Sequence, residues 1–184
     1  MRITNKVAKW IVIIYTIVVF AIVLLPLSTK AKDFPNLSQE AKEKYITNLT
    51  ERISKELDLQ TTPKLYFYNS SEWAVIASYY DGLNYIYVNL GAITSYEEAT
   101  RVMAHEIRHD YQYEHMNDNT EYGRALRANQ QNYISYYEDL DGYKNQFIEK
   151  DAEEFATNYV GNVMIMEIVD HTPEPTPEPE VTEE

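Results

Sequence analysis

The stretch EEATRVMAHEIRHDYQYEHM, residues 97–116, decides how the rest of the chain is read. Ser95 followed by Glu98 forms a capping-box pattern, which starts a helix here. No strong stop signal follows before Asn117-Asp118-Asn119, so one unbroken helix is expected through His115. On such a helix His105 and His109 share a face and lie roughly 6 Å apart along the axis, where two imidazoles can reach one metal ion. Glu106 sits about 100° round the same helix, placed to take a proton from a water beside that ion. Met103, Ala104, Ile107 and Tyr111 form the stripe expected to face the core.

Two histidines need a third protein ligand, and two candidates compete. His115 would complete the pattern HExxHxxGxxH, which works because a glycine breaks the helix and turns the last histidine back to the metal. Gln112 stands at that glycine position. On a continuing helix His115 lies about 240° round and roughly 9 Å beyond His109, facing away. The other candidate is Glu149 in IEKDAEEFATNYV, residues 148–160. Glu149, Ala152, Glu153 and Ala156 fall on one helical face. Glu149 would bind the metal, and Glu153 would accept a hydrogen bond from the free nitrogen of a ligand imidazole. The two alanines let this helix approach the metal helix closely.

HEIRH followed, after 39 residues, by E-x-x-A-E-x-F-A resembles the gluzincin zinc metallopeptidases. Nearest in pattern are the membrane heat-shock and CAAX-processing proteases and the ImmA/IrrE-type peptidases of bacteria and phages. The likeness covers roughly residues 80–160 and includes NYIYVNL, residues 84–90, where such enzymes place an edge strand over the cleft. It implies a Zn2+ ion held by His105, His109 and Glu149, Glu106 as general base, and a peptide or protein substrate. Two departures stand out. Glu153 replaces the Asp or Asn of many relatives, and Arg108 places a charge inside the HExxH window, where it reads as a solvated surface arginine, with an acidic neighbour or a substrate carboxylate as the alternative partners.

Three protein ligands leave a fourth zinc position open to water, the catalytic arrangement rather than the structural one. The competing reading is a non-catalytic zinc-binding ectodomain that acts as a binding or scaffolding module. Glu106 argues against it, since a structural site has no use for a base. An oxyanion donor is also expected, with Tyr143 and Tyr159 as candidates. The strand Tyr85–Leu90 is a candidate to pair with an extended peptide.

Outward from the metal helix, the fold reads as α+β: a minimal zincin-like domain over residues 33–170, behind one transmembrane helix. An N-terminal helix is expected over 37–59, then strands at 63–69, 72–79 and 84–90, with Asp81-Gly82 as a hairpin turn. Helical stretches near 120–138 and 143–168 follow the metal helix, separated by Asp141-Gly142.

Residues 1–32 and 171–184 differ from this domain. IVIIYTIVVFAIVLL, residues 11–25, carries no charge, and the apolar run from about 10 to 27 is just long enough to span a bilayer. Arg2, Lys6 and Lys9 before it outnumber Lys30 and Lys32 after it, which places the N-terminus inside and the catalytic domain outside the cell. The alternative is a signal peptide cleaved near Thr29 and Ala31, releasing a secreted domain. The tail HTPEPTPEPEVTEE cannot bury a core and reads as an extended acidic arm. The chain's net charge is −13, and the domain alone carries that much, which argues against nucleic acid as a partner. With no cysteine, thiolate metal sites and cysteine nucleophiles are excluded.

Overall fold

A computed structural model describes residues 34–70, 72 and 75–170. The expected membrane span at 10–27 and the acidic tail at 171–184 lie outside the described residues. Among the described residues, no helix is long and apolar enough to cross a membrane.

Among the described residues, five α-helices and a three-stranded mixed sheet make an α+β fold. Helix α1, Gln39–Glu56, starts where the Ser38 hydroxyl accepts from the Ala41 N–H, and buries Ile46, Leu49 and Ile53 at helical spacing. Phe34, in a short 3-10 turn just before it, is fully buried. Its ring packs edge-on against Tyr45 and Tyr96 at centroid distances of 5.7 and 5.1 Å, tying α1 to the metal helix.

The strands are β1, Lys64–Tyr68, β2, Ala77–Tyr80, and β3, Tyr85–Asn89. Their order in the sheet is β1-β3-β2, with β1 parallel and β2 antiparallel to β3. Asp81-Gly82 does form the β2–β3 turn, with Gly82 at φ +68° and Asn84 at φ 49°. The expectation that NYIYVNL forms the edge over the cleft is corrected here. Strand β3 is central and its main chain is paired on both sides, so β1 and β2 are the edges, and β2 is the one that borders the cleft. Ile86 and Val88 alternate into the core, while Tyr85 and Tyr87 join Tyr66 and Tyr80 on the outer face.

Helix α2, Tyr96–His115, is the expected metal helix and runs unbroken to His115. Ser95 accepts from the Glu98 N–H, while the Glu98 carboxylate reaches back to the N–H and hydroxyl of Thr94. Met103, Ala104 and Ile107 are fully buried, but Tyr111 is only half-buried; Asp110 and Gln112 go inside in its place.

Helix α3, Glu121–Gln131, ends well before 138. Asp139 then caps a short α4, Leu140–Asn145, by accepting from the Asp141 and Gly142 N–H groups. Asp141-Gly142 is therefore inside a helix rather than a break. A Cβ on Gly142 would come within 2.6 Å of the Asp139 carboxylate, so glycine permits this cap. Helix α5, Phe147–Asp170, buries Glu149, Ala152, Ala156 and Val160 against α2, the most extensive helix contact in the fold.

Candidate metal centre

Small side chains on α5 set the site. With Ala152 and Ala156 fully buried, α5 lies close enough to α2 for Glu149 to reach the His105 and His109 rings. Among the described residues, these three form a cluster that could hold a metal ion. The two Nε2 atoms are 3.1 Å apart, and Glu149 Oε2 lies 3.4 Å from His105 Nε2 and 3.8 Å from His109 Nε2. A triangle with these edges has its circumcentre about 2.0 Å from each corner, the reach of zinc–nitrogen and zinc–oxygen bonds.

The tautomer of His109 follows from its neighbour. Gln112 is buried and donates through Nε2 to Ile148 O at 2.9 Å and to Asp151 Oδ2 at 2.8 Å. Its Oε1 therefore faces His109 Nδ1, 2.8 Å away, and accepts a hydrogen bond from the Nδ1–H. This leaves the Nε2 lone pair of His109 aimed into the cluster. Two imidazole nitrogens and a carboxylate oxygen so close together call for a cation between them, so the donor set fits a metal.

The electrostatics agree. Burial alone would lower the His105 pKa, but a hydrogen bond with Glu149 and the charges of Glu106, Glu149 and Glu153 raise it instead. Burial would raise the Glu149 carboxyl, yet hydrogen bonds with His105 and Tyr143 and the nearby His109 hold it below the usual range. The cluster thus favours positive charge at its centre.

Glu106 sits beside the cluster, its Oε2 accepting from the Tyr79 N–H of edge strand β2 at 2.7 Å. Asn89 N–H donates to Ile76 O at 2.8 Å, so Ala77 and Tyr79 turn their main-chain groups away from β3, toward α2. The Tyr79 hydroxyl donates to Asp110 Oδ1 at 2.9 Å, pinning strand to helix a second time. A cleft of about 1040 Å³ opens here, lined among others by Glu106, His109 and Glu149.

The remaining expected residues fall as follows. His115 faces away from the cluster, pairing with Asp118 at 2.8 Å and packing on Tyr111. Glu153 is near His105 Nδ1, but 3.5 Å is too long for the expected hydrogen bond, and its carboxylate is held by Arg101 at 3.0 Å. Tyr143 meets Glu149 in the cleft, and burial followed by that carboxylate's charge raises its pKa. Tyr159 is elsewhere, its hydroxyl donating to Glu56.

Arg108 is no solvated surface residue. It grips Asp151 through two bonds of 2.8 and 3.0 Å, and its guanidinium lies over the Tyr111 ring at 4.3 Å. Tyr122 donates to the same Asp151 at 2.7 Å. Sequence reasoning missed Gln112 and Asp151. The available signal was their position, Gln112 one turn beyond His109 and Asp151 on the ligand helix. Compared with known proteins, the chain matches no family model, no curated protein and no solved structure.

Proposed function

We propose that this chain is a zinc-dependent metallopeptidase of the gluzincin type, with His105, His109 and Glu149 as ligands and Glu106 as general base. One observation carries the reading: the candidate ligand atoms of His105, His109 and Glu149 lie 3.1–3.8 Å from one another, and His109 and Glu149 line the same cleft as Glu106, a carboxylate outside that set. The zincin-like identity of the fold rests on this site and on the pattern HEIRH…E.

A zinc ion held there would supply Lewis acidity, polarising a scissile carbonyl and acidifying a water. The residues do the rest. Glu106, oriented by the Tyr79 N–H, takes the proton of the attacking water and returns it to the leaving amine. Gln112 fixes the His109 ring. Beyond the Tyr79 N–H, which Glu106 already takes, the outward main chain of β2 at Ala77 and the Tyr79 carbonyl would offer an extended peptide a strand to pair with. Tyr143, whose hydroxyl meets Glu149 in the cleft, is our candidate donor to the developing oxyanion. We further propose an N-terminal membrane anchor holding the domain outside the cell, on the composition of residues 11–25 alone.

The test compares wild type with Glu106→Gln for zinc content and for cleavage of an unfolded protein substrate. The proposal expects unchanged zinc and at least about a 100-fold loss of cleavage in the variant. Zinc retained by both, with no cleavage by wild type, would favour the non-catalytic zinc-binding module.

A further inference from the structure

Resting on the metallopeptidase reading, we infer that the cleft selects cationic peptide segments, with lysine or arginine side chains on either side of the bond to be cut. The observation is the chemistry of the walls around the proposed centre. The described lining contains no lysine or arginine. Beyond Glu106 and Glu149, which serve the metal and the proton, it contains Glu72 and Asp81.

These two exposed carboxylates bracket the edge strand. Asp81 directly follows Tyr80, the last residue of β2, and Glu72 precedes Ala77, the first. A four-residue strand spans roughly 13 Å. A peptide lying along it would pass Asp81 just beyond one end, with Glu72, five residues ahead of the other end, in the lining of the same cleft, and neither is committed to the metal.

Aromatic rings supply the second half of the recognition. Tyr79, Tyr113, Tyr133, Tyr136, Tyr137 and Tyr143 line the same cleft. Their faces attract ammonium and guanidinium groups, and their hydroxyls can hydrogen-bond them. The carboxylates' field crosses this space. Burial first, then the charges of Glu149, Glu106 and Asp81, raises the Tyr133 phenol, and Asp81 acts likewise on Tyr79. An acidic peptide would meet like charge and no partner, in a domain already at −13.

The test uses two fluorescein-labelled peptides of equal length, alike except that one carries lysine where the other carries glutamate. Binding to the full-length chain is followed by anisotropy at low and high salt. The lysine peptide is expected to bind at least about tenfold more tightly, an advantage that shrinks as salt rises. In Glu72→Lys/Asp81→Lys, two exposed changes that remove no described side-chain hydrogen bond, the preference should vanish or invert. Equal binding by wild type, or a preference that survives the double substitution, overturns the inference. Cleavage of both peptides by wild type and Glu106→Gln separates the two claims. Glu106-dependent cleavage of both peptides with equal efficiency overturns the selectivity and leaves the peptidase. Lysine-selective binding without zinc-dependent cleavage overturns the peptidase and leaves the recognition.

Discussion

Two arginine–carboxylate pairs cross the seam between α2 and α5, and they differ in nearly everything but type. Arg108–Asp151 is largely enclosed, with side chains 16% and 19% exposed, and is bidentate. Arg101–Glu153 is open, with side chains 45% and 50% exposed. The enclosed pair continues through Gln112 to the Nδ1 atom of His109. The open pair merely passes His105 at 3.5 Å. Exposed pairs contribute little because water screens them, whereas breaking an enclosed pair strands a charge. The two histidines of the cluster are thus held unequally: His109 by a buried chain of hydrogen bonds, His105 chiefly by Glu149 and the packing of α2.

The sharpest way to break this contrast is Asp151→Ala. It leaves Arg108 enclosed without its carboxylate and Gln112 without one acceptor. Chemical denaturation should show a loss of about 3 kcal/mol, and zinc affinity should fall as well. Gln112→Ala keeps the ion pair and removes only the link to His109. It should lower zinc affinity roughly 10- to 100-fold in competition with a chelator, with a smaller stability loss of about 1–2 kcal/mol.

A third carboxylate extends the comparison. Asp110 is buried on α2, and among the described residues its Oδ2 has no hydrogen-bond partner. Burial lifts its pKa from 3.8 to about 6, against the opposing hydrogen bond from Tyr79. Between those values the folded protein keeps a proton that the unfolded chain releases. Stability from this group is therefore fully present below 3.8 and lost as pH rises through 6. Measured on the metal-free chain, wild type should gain on the order of 2 kcal/mol over Asp110→Asn between neutral and mildly acid pH. Glu153→Ala should have the smallest effect, under about 0.5 kcal/mol in stability and within a few-fold in zinc affinity.

The pattern of what was legible in the sequence follows the same division. Helix α2 could be read because its cap, its apolar stripe and the absence of a breaker all lie within one segment. His105 and His109 could be read as neighbours because i, i+4 spacing on one helix sets it, whereas Glu149, on α5, was legible only from its own helical face and the resemblance of the pattern. Gln112 was visible only as a glycine that is missing from another pattern. Its real role depends on Ile148 and Asp151, 36 and 39 residues away. Arg108 looked solvated because nothing local shows the rings of Tyr111, Tyr122 and Phe155 closing around it. Strand propensity marked three strands but not their order, since the parallel β1–β3 pairing is a tertiary choice. Helical spacing put Glu153 beside Glu149, but could not reveal that Arg101 claims its carboxylate.

The central claim is that one metal is held by His105, His109 and Glu149. It is tested most directly by the zinc content of the purified full-length chain, beside Glu149→Ala and His115→Ala. The account predicts close to one zinc per wild-type chain, marked loss in Glu149→Ala and no change in His115→Ala. Zinc that survives Glu149→Ala but is lost with His115→Ala would contradict it, as would a folded wild-type chain that binds no zinc.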